Sequence, residues 1–146
     1  NKAAVVLGVN EKTIREHYQI RAALESEACV LCCENEADLS AIKNCLDASI
    51  EAFNEGDNSN YANLNQSFHY EIWNGAANEK LQKMLAELWN GLSMGLKSTE
   101  SGYAKVSIEE HKKIYAALEK RDAEAARKAM HDHIYRSMAD LLTRYQ

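Results

Sequence analysis

The sequence contains no proline and only six glycines among its 146 residues. With so few chain breakers, the turn-rich punctuation of an all-β fold is missing, and long uninterrupted helices are expected. No apolar run is long enough to span a bilayer, and no signal-peptide pattern is present, so a cytoplasmic protein without a membrane partner is expected. Positive charge is also short: 17 Lys and Arg stand against 22 Asp and Glu, a net charge of −5. That balance argues against these residues gripping a phosphate backbone by themselves. The four cysteines make a poor disulfide framework, because Cys29, Cys32 and Cys33 crowd into about one and a half helical turns and Cys45 stands apart. Reduced thiols in a cytoplasmic protein fit better. Cys29 and Cys32 form a Cys-x-x-Cys pair, but no second pair follows and no βαβ pattern surrounds it, which favours small core residues over a metal or redox site.

Hydrophobic residues make up 46% and charged residues 27%, the balance of one globular domain with a sizeable core. Caps and apolar stripes mark about six helices. The first runs from Glu11 to Cys33 after an Asn10 cap, with Ile14, Tyr18, Leu24, Ala28 and Cys32 on one stripe. The second follows Asn35, carries Leu39, Ile42, Leu46, Ile50 and Phe53, and stops at Gly56. The third spans about Ser59 to Gly75. The fourth follows an Asn78 cap and runs through Leu81, Leu85, Leu88 and Leu92 to about Lys97. Residues 98–106 read as the longest loop. Ser107-x-x-Glu110 reads as a capping box opening the fifth helix, which ends near Arg121, and Asp122 caps the sixth. The stretch "AAVVLGV" (3–9) reads as the end of a linker. The expected fold is an all-α antiparallel bundle of about six helices joined by short loops.

Several polar residues fall on the inner faces. On a wheel at about 100° per residue, His69 lies between Ile72 and Trp73, and Asn65 lies one turn earlier beside it. An i, i+4 pair on one face can aim two donor atoms at one point. His111 falls within the stripe of Ile108, Ile114, Tyr115 and Leu118. The fifth and sixth helices join at Arg121-Asp122, so residues equidistant from that turn sit at one height. His111 and His133 both lie roughly 16 Å from it, and His131 about 3 Å lower. The height match favours His133 over His131. Asn65, His69, His111 and His133 can therefore converge in the bundle core. Three neutral imidazoles and an amide oxygen suit a divalent transition metal such as Zn, Ni, Mn or Fe, with open positions for water or a carboxylate. The competing reading is three unrelated histidines. Arg21 also shares the first helix's inner stripe, with Glu25 one turn on. A guanidinium there is costly unless paired, so it makes a local Arg21–Glu25 pair, contacts an anionic small molecule, or does both.

The stretches "IREHYQIRAALESEA", "NLNQSFHYEIWNGAANEKL" and "EEHKKIYAALEKRDAEAARKAMHDHI" resemble the C-terminal effector-binding (FCD) domain of GntR-type, FadR-subfamily transcription regulators. The resemblance covers nearly the whole chain from about residue 11. It implies an all-α FCD-type ligand-binding domain over 11–146, with 1–10 a linker from an N-terminal winged helix-turn-helix domain. It implies that a carboxylate or amide and three histidines hold a divalent ion inside the bundle, here Asn65, His69, His111 and His133. Asn65 stands where Asp is frequent, and its amide is a neutral, weaker ligand. Arg21 matches the family's first-helix Arg, which looks towards an effector cavity, and the implied effectors are small carboxylates or sugar acids. Tyr18, Glu25, Trp73, Ser93 and Lys97 are the further candidates to line that cavity.

The expected function is thus metabolite sensing in a bacterial transcription regulator, with no enzymatic activity. A small anionic metabolite would bind at the metal, and DNA would be bound only through the N-terminal domains of a homodimer. The alternative is a His-ligated metalloenzyme of a helical-bundle type, since three histidines and an open position also suit catalysis. Against it, no obvious general base accompanies the ligands; Glu71 and Glu110 are nearest in sequence, and Glu71 points away from His69. No Glu-x-x-His occurs, which removes a di-iron bundle.

Overall fold

A computed structural model describes residues 10–89 and 101–144. Six helices and no strand occur among them: α1 (Glu11–Glu34), α2 (Ser40–Asn54), α3 (Asn58–Ala76), α4 (Glu79–Leu88), α5 (Ser101–Glu119) and α6 (Ala123–Arg144). The all-α expectation holds. α1 is the central element, packed along α6 and against α3 and α4; α2 lies on α3, and α5 on α6. No described helix is long and apolar enough to cross a membrane.

Capping explains most boundaries. The side chains of Asn10, Asp57, Asn78 and Asp122 accept hydrogen bonds from the backbone N–H groups of Thr13, Asn60, Leu81 and Ala125. Each satisfies a donor that the first helical turn leaves orphaned. At their other ends, α1, α2 and α5 close with paired bonds back into the last turn: Ala37 N to Cys32 O, Asp57 N to Ala52 O, and Asp122 N to Ala117 O. Such a closure needs a left-handed residue, supplied by Gly56 at φ 74° but by Glu36 at 50° and Arg121 at 57°. The Arg121 guanidinium reaches across to donate to Ala37 O at 2.6 Å, tying the α5–α6 turn to the α1–α2 turn.

Two expectations are corrected. The second helix starts at Ser40 rather than just after Asn35, because the left-handed turn at Glu36 and the Asp38 carboxylate, which accepts from Ser40 N, interpose a connector. The fifth helix starts at Ser101, so residues 101–106 are helix rather than loop and Ser107 is no cap. The second-cluster contacts of Ala104 and Ile108 with Tyr61 and Ala52 extend the buried face back beyond Ser107. Local cap chemistry loses here to tertiary packing. Residues 1–9, the expected course of the fourth helix beyond Trp89 and residues 98–100 of the expected loop lie outside the described residues.

The main core holds Ile14, Ala28, Phe68, Ile72, Leu85, Ile114, Leu118, Met130 and Ile134. Each such large side chain contributes about 1.5–3 kcal/mol on burial. Cys29, Cys32 and Cys33 are buried in that core. Burial pushes the Cys32 thiol up to about 11, which makes it a packing group rather than a nucleophile. Gly75 lets α3 approach α1 there, since a Cβ on it would come within 2.7 Å of Cys32 Sγ.

Candidate metal and effector site

α3, α5 and α6 bring His69, His111 and His133 together in the interior, with one ring nitrogen from each within 4.8 Å of the others. All three are buried. The hairpin height argument is realised: Nε2 of His111 and Nε2 of His133 lie 3.2 Å apart. His131 instead stacks on Tyr135 and stays partly exposed. The His69 ring centroid is 5.0 Å from that of His111 and 5.4 Å from that of His133. Phe68, next to His69 on α3, stacks on His111 at 4.2 Å and holds that ring.

Two carboxylates orient two of the rings. Glu25 Oε1 is 2.6 Å from His69 Nδ1 and accepts from Trp73 Nε1 at 3.1 Å, while its Oε2 accepts from Arg21 Nε at 2.6 Å. Glu110 Oε1 is 2.7 Å from His133 Nδ1, and the Glu110 carboxylate accepts from Arg136 Nε at 3.0 Å. Burial opposes the charge on Glu25, but His69 and Arg21 outweigh it and hold its carboxyl well below the usual range. Glu110 is likewise lowered, with burial opposed by its bonds to His133 and Arg136. Burial lowers His133 to about 4 and, with His133 and His69 nearby, carries His111 well below its ordinary value. Both rings are therefore neutral at pH 7, the form in which imidazole binds metals.

The donor set fits a divalent ion on the evidence of its orphaned atoms. His69 Nε2 and Asn65 Oδ1 are buried without a hydrogen-bond partner, at a cost of roughly 1–3 kcal/mol each unless something fills the gap. Both are acceptors of the kind a metal satisfies, one helical turn apart on α3. Neutral nitrogen with an amide oxygen suits the borderline metals Zn, Ni, Mn or Fe.

The remaining candidates gather on one side. The Arg21 guanidinium lies 4.4 Å from the Trp89 ring and 5.5 Å from the Tyr18 ring. Trp89 in turn lies 5.2 Å from His69 and 6.0 Å from Trp73. Tyr18, Arg21, Glu25 and Trp73 are all buried beside the triad. Of the two readings of Arg21, the local pair with Glu25 is present, Nε to Oε2 at 2.6 Å. Glu25 itself is fully spent on Arg21, His69 and Trp73, so it serves the site by holding those side chains. Lys97 and Ser93 lie outside the described residues.

Trp89, Phe68 and Arg136 belong to the site without having been singled out from sequence. Trp89 Nε1, a donor only, is buried without a partner beside Arg21. Arg136 was discoverable as the i+3 neighbour of His133, and Phe68 as the residue before His69. Glu110 reads locally as half of a capping box, which hid its role.

The sequence model of the FCD domain family matches residues 16–136. The HTH-type transcriptional regulator McbR of Escherichia coli (strain K12) is 27% identical over 150 residues, spanning 99% of this chain and 68% of that protein. The solved structure of E. coli McbR/YncC aligns with a TM-score of 0.81 at 25% identity, covering 94% of this chain and 68% of that one.

Proposed function

The chain belongs to the FCD domain family, the effector domains of GntR-type regulators, and from that premise we propose that it senses a small anionic metabolite through a divalent transition metal. His69, His111 and His133 would hold the ion, and the Asn65 amide oxygen would be a fourth ligand. The observation that carries this reading is the convergence of three buried imidazoles, one with an orphaned Nε2, and an orphaned Asn65 Oδ1 one turn from His69 on the same helix. The ion supplies a concentrated positive charge and open positions for an oxygen ligand. The chain's own residues bind and orient around it: Arg21 and the Trp89 N–H would supply further donors to an anion, with the Tyr18 and Trp89 rings packed against the guanidinium.

Regulation then follows from differential binding. A metabolite favouring one arrangement of the bundle shifts its population, and DNA binding by an N-terminal helix-turn-helix domain in a homodimer responds. The metalloenzyme alternative is disfavoured by the carboxylates: Glu25 and Glu110, which face the triad, are both engaged by an arginine and a histidine, so neither is free to act as a general base. Thermal shift against a panel of carboxylates tests the reading. A stabilising acid whose effect disappears in His69→Ala and weakens in Arg21→Ala supports it; turnover of that acid would sink it.

A further inference from the structure

Two of the three imidazoles are held by the same device. On one side Arg21 donates to Glu25 and Glu25 faces His69 Nδ1; on the other Arg136 donates to Glu110 and Glu110 faces His133 Nδ1. The first relay joins α1 to α3 and the second joins α5 to α6. A carboxylate paired with a guanidinium is ionised and can only accept, so the proton in each carboxylate–imidazole bond sits on Nδ1. In His69 a second N–H at Nε2 would be buried with no acceptor. His133 is buried and neutral, so its one ring proton is the one on Nδ1 facing Glu110, and both rings present a bare Nε2 lone pair. The 3.2 Å contact between the Nε2 atoms of His111 and His133 then has one possible direction: His111 donates. The Phe68 stack fixes the plane of that third ring but leaves its tautomer free to change.

We propose that the two Arg–Glu–His relays preset His69 and His133 as ligands, and that His111 is a switching ligand which moves its ring proton from Nε2 to Nδ1 as a metal ion enters. The proton leaves Nε2 of the neutral ring and one returns at Nδ1 through water, so the triad releases no net proton. Glu25 and Glu110 are positioning residues that act through the imidazoles. The inference rests on the metal reading above, but its premise concerns the metal-free protein alone.

Long-range ¹H–¹⁵N correlation of the ring nitrogens in the whole metal-free chain at neutral pH, followed by titration with Zn²⁺, tests it. The expected spectra show Nδ1–H for His69 and His133 and Nε2–H for His111, with His111 converting to Nδ1–H after one equivalent of Zn²⁺. In Glu110→Gln the new amide keeps its oxygen on Arg136 and donates to His133 Nδ1. His133 should then become Nε2–H, and Zn²⁺ affinity should fall tenfold or more. Nε2–H on His69 or His133 in the unaltered chain, or His111 binding Zn²⁺ without changing tautomer, would overturn the proposal. That result needs no variant to fold. Preset tautomers without any Zn²⁺ uptake would instead overturn the metal reading, separating the two failures.

Discussion

Replacing Glu25 by alanine leaves the Arg21 charge buried and unpaired and removes the anchor of His69 and Trp73. A loss of about 3–5 kcal/mol is expected, measured by urea denaturation of the metal-free chain. A change below about 1 kcal/mol would mean that water already serves Arg21. Acid should act through the same interior. His133 lies near 4 in the folded chain, against an ordinary 6.5, because it is buried. Between those values the unfolded chain binds more protons than the folded one, so stability falls as pH drops from about 6.5 to about 4. His133 alone accounts for about 3 kcal/mol at 1.36 kcal/mol per unit, and His111 acts in the same direction. Urea midpoints of metal-free protein between pH 7 and 4 should follow that slope, and a His133→Gln variant should flatten it.

Among the elements, α5 shows where local signals and packing part company. Ser107 is fully buried inside the helix, where its hydroxyl stands by the Tyr61 phenol rather than at a helix-start N–H. A cap lost to alanine costs about 1 kcal/mol. A Ser107→Ala/Tyr61→Phe double-mutant cycle should instead show coupling of about 0.5–1.5 kcal/mol between the two hydroxyls, which a cap would not. The α1 terminus supplies a second test. Glu36 is an exposed left-handed residue, a conformation costing roughly 1–2 kcal/mol for a side chain with Cβ. Glu36→Gly should raise stability by about 0.5–1 kcal/mol after glycine's extra chain entropy, read from the denaturation midpoint.

These elements also show what the sequence could and could not reveal. The Arg21–Glu25 pair was legible because i, i+4 neighbours must meet on a helix. His111 and His133 were legible because a short turn fixes the heights of both arms. The bonds from Glu25 to His69 and Trp73 span 44 and 48 positions, and no helical period predicts them. Glu110 was hidden because Ser-x-x-Glu has a complete local explanation, which the buried contacts of Ala104 and Ile108 override.

At the scale of the whole molecule, the bundle is a frame with α1 along its centre and a cluster of buried polar side chains contributed by α1, α3, α5 and α6. It carries two carboxylate–arginine pairs, three histidines and the orphaned His69 Nε2 and Trp89 Nε1, which an apolar core would exclude. That expense makes sense if an ion and an anion complete the cluster. Metal content is the direct test. Protein loaded with Zn²⁺ or Ni²⁺, desalted and assayed by inductively coupled plasma mass spectrometry should carry one ion per chain. The content should fall by at least tenfold in His69→Ala and in His133→Ala, and stay unchanged in His131→Ala. Background metal in the loaded parent chain, or full occupancy surviving both His69→Ala and His133→Ala, would contradict the account.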